Sequence, residues 1–131
     1  MKELRVIIAG SRDFDDFSKL VSSCTNVLCK ITNKNNDLNK VRIISGTARG
    51  ADQLGEQYVK TVGYEVSRFP ADWDGLGKRA GYVRNVEMAK FAVADDSYGV
   101  LIAFWDGKSK GTKHMIDLAE KNGLEVHIAR F

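Results

Sequence analysis

The sequence predicts an α/β domain, a Rossmann-like three-layer sandwich built on a five-stranded parallel sheet. Three observations carry that expectation. Five short apolar runs rich in β-branched residues alternate with longer stretches of helical periodicity. The first three runs are each closed by a glycine or by the chain's single proline. The stretches between runs each carry one apolar stripe, as helices laid on a sheet do.

The runs are Leu4–Ala9 before Gly10, Val41–Ser45 before Gly46, Tyr64–Phe69 before Pro70, Gly99–Phe104, and Leu124–Ala129. The first and fourth are the most continuously apolar, which suits central strands buried on both faces. Phe17, Leu20, Val21, Cys24, Val27, Leu28 and Ile31 form the stripe of the first helix. Ala51, Leu54, Tyr58, Val59 and Val62 form that of the second. Ala80, Val83, Met88, Phe91 and Ala92 give a looser third stripe, and Met115, Leu118 and Ala119 a short fourth. Asn122-Gly123 predicts a left-handed stop for the last helix. The stretch from Asn33 to Asn39 reads as a polar, mobile connection.

With 131 residues, the chain has the size of one domain and needs no staples for a core. Its net charge of +3 fits an anionic small ligand and is too small to argue for nucleic acid. Cys24 and Cys29 fall on different faces of the first helix, so no disulfide joins them. No Cys/His spacing resembles a zinc site, and no metal or cofactor is expected. No leader peptide is recognised and no apolar run reaches membrane length, which predicts a cytoplasmic protein.

In doubly wound sheets, ligands bind beyond the carboxyl ends of the strands, so the loops following strands matter most. After the first strand come Gly10, Ser11 and Arg12, either a plain turn or a close backbone approach to an anion. After the second come Gly46, Thr47, Arg49, Gly50 and Asp52, either a tight strand-to-helix turn or a phosphate cradle. Asp52 either favours the positive helix start or touches ribose. After the third comes a long irregular loop holding Asp72 and Trp73, of a length that usually signals function. Trp73 offers a face for a base or packs as a lid over the core. Arg84, with Asn85, falls near the start of the third helix, where a guanidinium suits bidentate phosphate recognition. After the fourth come Asp106, Ser109, Gly111 and Thr112, a second candidate cradle that Ser109 or Thr112 can cap. His114 reads as either a ligand group or a surface residue.

Four ordered strings, GSRDF, SGTARGAD, FPADWDGLGKRAGYVRNVEM and FWDGKSKGT, resemble the SLOG superfamily. The similarity is strongest to its short, single-domain YpsA-related group of bacterial and phage proteins and covers nearly the whole chain. It implies strand order 3-2-1-4-5 and a pocket for a nucleotide derivative. It also implies a homodimer or higher homo-oligomer, with Tyr82 and Phe91 of the third helix available for contact. A more distant resemblance links the second half to LOG-type phosphoribohydrolases. Arg84-Asn85-Val86-Glu87-Met88 matches their Arg-Lys-x-x-Met pattern, and Gly111-Thr112 matches part of their glycine-rich loop. Ser109 stands for a glycine of that loop and Met115 for the catalytic glutamate, so binding carries over better than hydrolysis.

The expected function is the sensing or sequestering of a nucleotide-type ligand. In that view Gly46, Thr47, Gly50, Arg84, Ser109, Gly111 and Thr112 hold phosphate, while Ser11, Asp52 and Trp73 hold sugar and base. The alternative is an enzyme cleaving an N-glycosidic or phosphate bond, with Asp72, Asp74 or Asp106 as general base. A single-stranded nucleic-acid module is disfavoured by the small charge and few aromatics.

Overall fold

The computed structural model describes residues 2–131. Strands β1 (Lys2–Gly10), β2 (Leu38–Ser45), β3 (Glu65–Arg68), β4 (Tyr98–Trp105) and β5 (Glu125–Arg130) form one sheet in the order β3-β2-β1-β4-β5. Every pairing is parallel. Helices α1 (Phe17–Lys34) and α2 (Ala51–Val62) cover one face, and α4 (Ala80–Val93) and α5 (Lys110–Lys121) the other. Among the described residues no helix is long and apolar enough to cross a membrane.

Alternation along β1 builds both layers of the core. Leu4, Val6 and Ile8 face α1 and α2, whereas Ile7 and Ala9 face α4 and α5. In β4, Val100, Ile102 and Phe104 join the first layer, and Leu101 and Ala103 the second. Full burial of each large aliphatic side chain contributes about 1.5–3 kcal/mol, which is why these two strands take the centre. Local signals set the helix ends. The Asp16 carboxylate accepts from the Lys19 N–H (3.0 Å) and starts α1. Asn122 closes α5 ahead of the left-handed Gly123, with the Leu124 N–H reaching the Ala119 carbonyl (2.9 Å).

Three boundaries differ from the expectation. The polar connection is shorter than Asn33–Asn39, because α1 runs to Lys34 and β2 begins at Leu38, which is buried. A register shift between Lys2 and Glu3, opposite Leu38 and Lys40, interrupts the alternation that would have marked the strand. The loop after β3 is not irregular throughout. It holds a single-turn helix, α3 (Trp73–Leu76), and a 3-10 turn at Gly77–Arg79. Arg84 consequently lies a full turn inside α4 rather than at its start. On α4, Phe91 packs against the core layer beside Phe69 and under the Arg5 guanidinium (4.1 Å to the ring), while Tyr82 and Val83 are exposed.

Candidate functional site

The chain leaves β1 toward β2 and enters β4 on β1's other side, so the strand order reverses between β1 and β4. A cleft of about 410 Å³ opens there, at the carboxyl ends of the strands. Its floor depends on a close approach. The Ser11 N–H donates to the Phe104 carbonyl (2.9 Å), and a Cβ at Gly10 would stand 2.2 Å from that same oxygen. Only glycine permits this join. Ser11 is thereby buried, and its Oγ accepts from the Asp106 N–H (3.3 Å), tying the two loops together.

The loop after β2 is braced from beneath. Ser45 Oγ donates to Glu56 (2.7 Å) and accepts from the Thr47 N–H (3.1 Å), while Glu56 also holds Arg68 (2.7 Å). Thr47 sits at φ +63°, a conformation that a residue with a side chain holds only when its surroundings enforce it. Arg84 reaches this loop from α4. Its Nη1 donates to the Gly46 carbonyl (2.6 Å), and its Nε to Asn85 Oδ1 (3.1 Å). A Cβ at Gly46 would lie 2.8 Å from both Arg84 Nη1 and Asp52 Oδ2, so Gly46 is a thin wall between the two charges.

Asp52 is almost wholly buried, and its Oδ2 accepts from the Ala48 N–H (3.2 Å). Burial pushes its carboxyl pKa up to about 6, against the Ala48 hydrogen bond and the nearby Arg84 charge, which both pull it down. The folded state therefore holds an extra proton between the ordinary 3.8 and about 6. Stability falls as pH rises through that window and is level above it. Asp52→Asn is expected to stabilise the fold by about 3 kcal/mol at pH 8 and to change little at pH 3. Urea unfolding at the two pH values measures this, and equal gains at both would refute a buried charge as the cause.

The loop after β4 is closed on itself. The Asp106 carboxylate accepts from the Lys108 and Ser109 N–H groups, both at 2.8 Å, and these bonds hold its pKa below the usual range. Ser109 caps α5 by accepting from the Thr112 N–H (3.4 Å). Asn85, buried on α4, donates to the Gly111 carbonyl (3.3 Å) and pairs with His114 Nδ1 (3.2 Å). Burial lowers the His114 pKa, and the ring packs edge-on to Tyr82. Met115 stands buried in the cleft wall. Asp117 points outward and holds Lys113 (2.7 Å).

Trp73 is half exposed at the mouth, with the Arg12 guanidinium 5.9 Å from its ring. Beyond this pair lies a second lobe of about 300 Å³, which shares Arg12, Ala48, Trp73 and Arg84 with the main cleft. Of the residues singled out from sequence, Gly10, Ser11, Arg12, Asp52, Trp73, Arg84, Asn85, Asp106, Ser109, Gly111 and Thr112 line the main cleft. Gly46, Thr47 and Arg49 line the second lobe. Two line neither. Gly50, at φ +80°, packs under the Ser11 and Arg12 carbonyls, and Asp72 caps α3 by accepting from the Gly75 N–H (2.9 Å). Sequence reasoning missed Lys78 and Gly81 in the cleft lining. Both follow Trp73 within a few residues, but only the turn of α3 brings them inward. Gly81 lies close under Trp73, where a Cβ would meet the ring at 3.3 Å.

The strand order and the cleft at its reversal point place this chain among Rossmann-like α/β domains. It belongs to the YspA, cpYpsA-related SLOG family (YAcAr), whose model matches residues 4–75. It is also similar to the Gene 61 protein of Mycobacterium phage D29, with 33% identity over 127 residues and 93% of each chain covered. No solved structure matches it.

Proposed function

We propose that the chain binds a nucleotide or nucleotide-derived ligand in the cleft between the ends of β1 and β4, as a sensor or sequestering protein. One observation carries this: a single cleft gathers an exposed indole, a buried carboxylate and guanidinium groups that, among the described residues, hold no carboxylate within 4.0 Å. The Trp73 face suits a base, Asp52 accepts from sugar hydroxyls, and the arginines suit a phosphoryl group. Binding is favoured over turnover because Met115 stands where LOG-type hydrolases carry glutamate, and Asp117 faces away in its ion pair. The hydrolase reading retains one support, Asp52, which has the raised pKa of a general acid or base. A base-release assay separates the two.

The test of binding is calorimetry with nucleoside monophosphates on the wild type and on Trp73→Ala. A stacked base is worth about 1–3 kcal/mol, so the variant is expected to bind roughly 5- to 150-fold more weakly. Equal affinity would remove Trp73 from the site. No heat with any of the four common bases would sink the nucleotide reading.

A further inference from the structure

We propose that the second lobe is an anion subsite in its own right, and that the ligand's phosphoryl end lies there rather than in the turn after β4. The inference rests on the nucleotide reading above and says which end of the ligand goes where.

The two lobes differ in charge. The main cleft mixes signs, with Asp13, Asp52 and Asp106 facing Arg12, Lys78 and Arg84. The second lobe is lined by Arg12, Arg49 and Arg84 and by no acidic residue. Arg5, Arg42 and Arg68 elsewhere in the fold each hold a carboxylate. Among the described residues none of the three arginines of the lobe does so within 4.0 Å. Arg84 shows the contrast most clearly, since it is largely buried and spends Nη1 and Nε on Gly46 and Asn85, leaving Nη2 without a hydrogen-bond partner among the described residues. Asp52, across Gly46, offsets part of the Arg84 and Arg12 charge without pairing with either, and the charge that remains on three guanidiniums suits a multiply charged oxyanion.

The turn after β4 is the competing seat, and its Lys108, Ser109 and Thr112 N–H groups are already engaged. Asp106 takes the N–H groups of Lys108 and Ser109 and remains charged, so a phosphoryl group there meets a carboxylate. The loop after β2 also turns its Thr47 and Ala48 N–H groups inward, to Ser45 and Asp52. The subsite is therefore built chiefly from side chains, whose guanidinium forks suit paired oxygens of one anion. Trp73 and Arg12 border both lobes, so a base on the indole and a phosphoryl group on Arg49 and Arg84 fit one continuous ligand. The class is a nucleoside phosphate whose charged end carries two or more negative charges.

Arg49 is exposed, so Arg49→Glu leaves the fold intact; Lys108→Glu is the matching reversal in the turn after β4. Calorimetry at about 0.15 M salt, where distant charges are screened, uses inorganic pyrophosphate, ADP, GDP and the two free nucleosides as probes. Arg49→Glu is expected to weaken pyrophosphate and the nucleotides at least about tenfold and to leave the nucleosides unchanged. Lys108→Glu is expected to shift nucleotide binding less than about twofold. Nucleotides that bind the wild type and Arg49→Glu equally overturn the subsite while leaving the nucleotide reading standing. Weakening by Lys108→Glu alone overturns it in the same way. Pyrophosphate that binds through Arg49, with no nucleotide or nucleoside bound, supports the subsite and ends the nucleotide reading. Silence from every probe overturns both.

Discussion

Arg84→Ala is expected to weaken nucleotide binding by about 10- to 150-fold, the range for losing a hydrogen bond to a charged group. Two effects combine. The ligand loses the free Nη2 donor of a residue that lines both lobes, and the loop after β2 loses the clamp at the Gly46 carbonyl, made at 2.6 Å. The clamp has its own signature, because a carbonyl deprived of its partner destabilises the fold by about 1–3 kcal/mol. Arg84→Lys is expected to restore little, since an ammonium cannot reach Gly46, Asn85 and a ligand from one planar fork. Loss of the guanidinium also removes the charge that pulls the Asp52 pKa down, so its carboxyl should titrate higher still. Calorimetry gives the affinities and urea unfolding the stability. Affinity within twofold of wild type would show that Arg84 serves the loop and not the ligand.

Gly50→Ala is expected to lower stability by about 2–6 kcal/mol, against the 5–15 kcal/mol that small domains possess. The residue sits at φ +80°, ψ −128°, the mirror image of extended backbone, which side-chain-bearing residues scarcely adopt. An added Cβ would also lie 2.5 Å from the Ser11 carbonyl and 2.7 Å from that of Arg12. Both obstacles are backbone, so no rotamer change relieves them. The strain falls on the loop after β1, and the site should lose order before the sheet does. Equilibrium unfolding measures the loss, and a change below about 1 kcal/mol would mean that the two loops slide apart easily.

Much of the architecture was legible because the strands are buried on both faces and so read as unbroken β-branched runs. Val6-Ile7-Ile8 and Val100-Leu101-Ile102 announce themselves. Strand order came from the family resemblance, since periodicity alone says only that the strands are parallel. The start of β2 was hidden because the register shift breaks its pattern, and α3 because a single turn has no period to detect. Most residues named from the strand-following loops do gather around one cleft and its second lobe. Their individual partners did not follow. Nothing local shows that Arg84 spans the chain to Gly46, that Asp106 fills its own turn, or that Gly50 is shaped by Ser11 rather than by a ligand. The Arg84 and Gly50 contacts join segments far apart in sequence, and the first is set only when α4 docks on the sheet, whereas Asp106 closes a turn of three residues whose residue types equally suit an open anion cradle.

The division of the core between two helix pairs also bears on how the chain matures during synthesis. The residues through β3 already contain α1 and α2, which cover one side of β1 and β2. The other side, with Ile7, Ala9 and Ile44, is covered by α4 and α5, which emerge later from the ribosome. Until then the nascent sheet has one dry side and one wet, apolar side, and β1 has an open edge where β4 will pair. The pairing that finishes the core is the same one that creates the cleft. The cleft proposed as the binding site is thus among the last features to appear, complete only after the two-sided burial of β1.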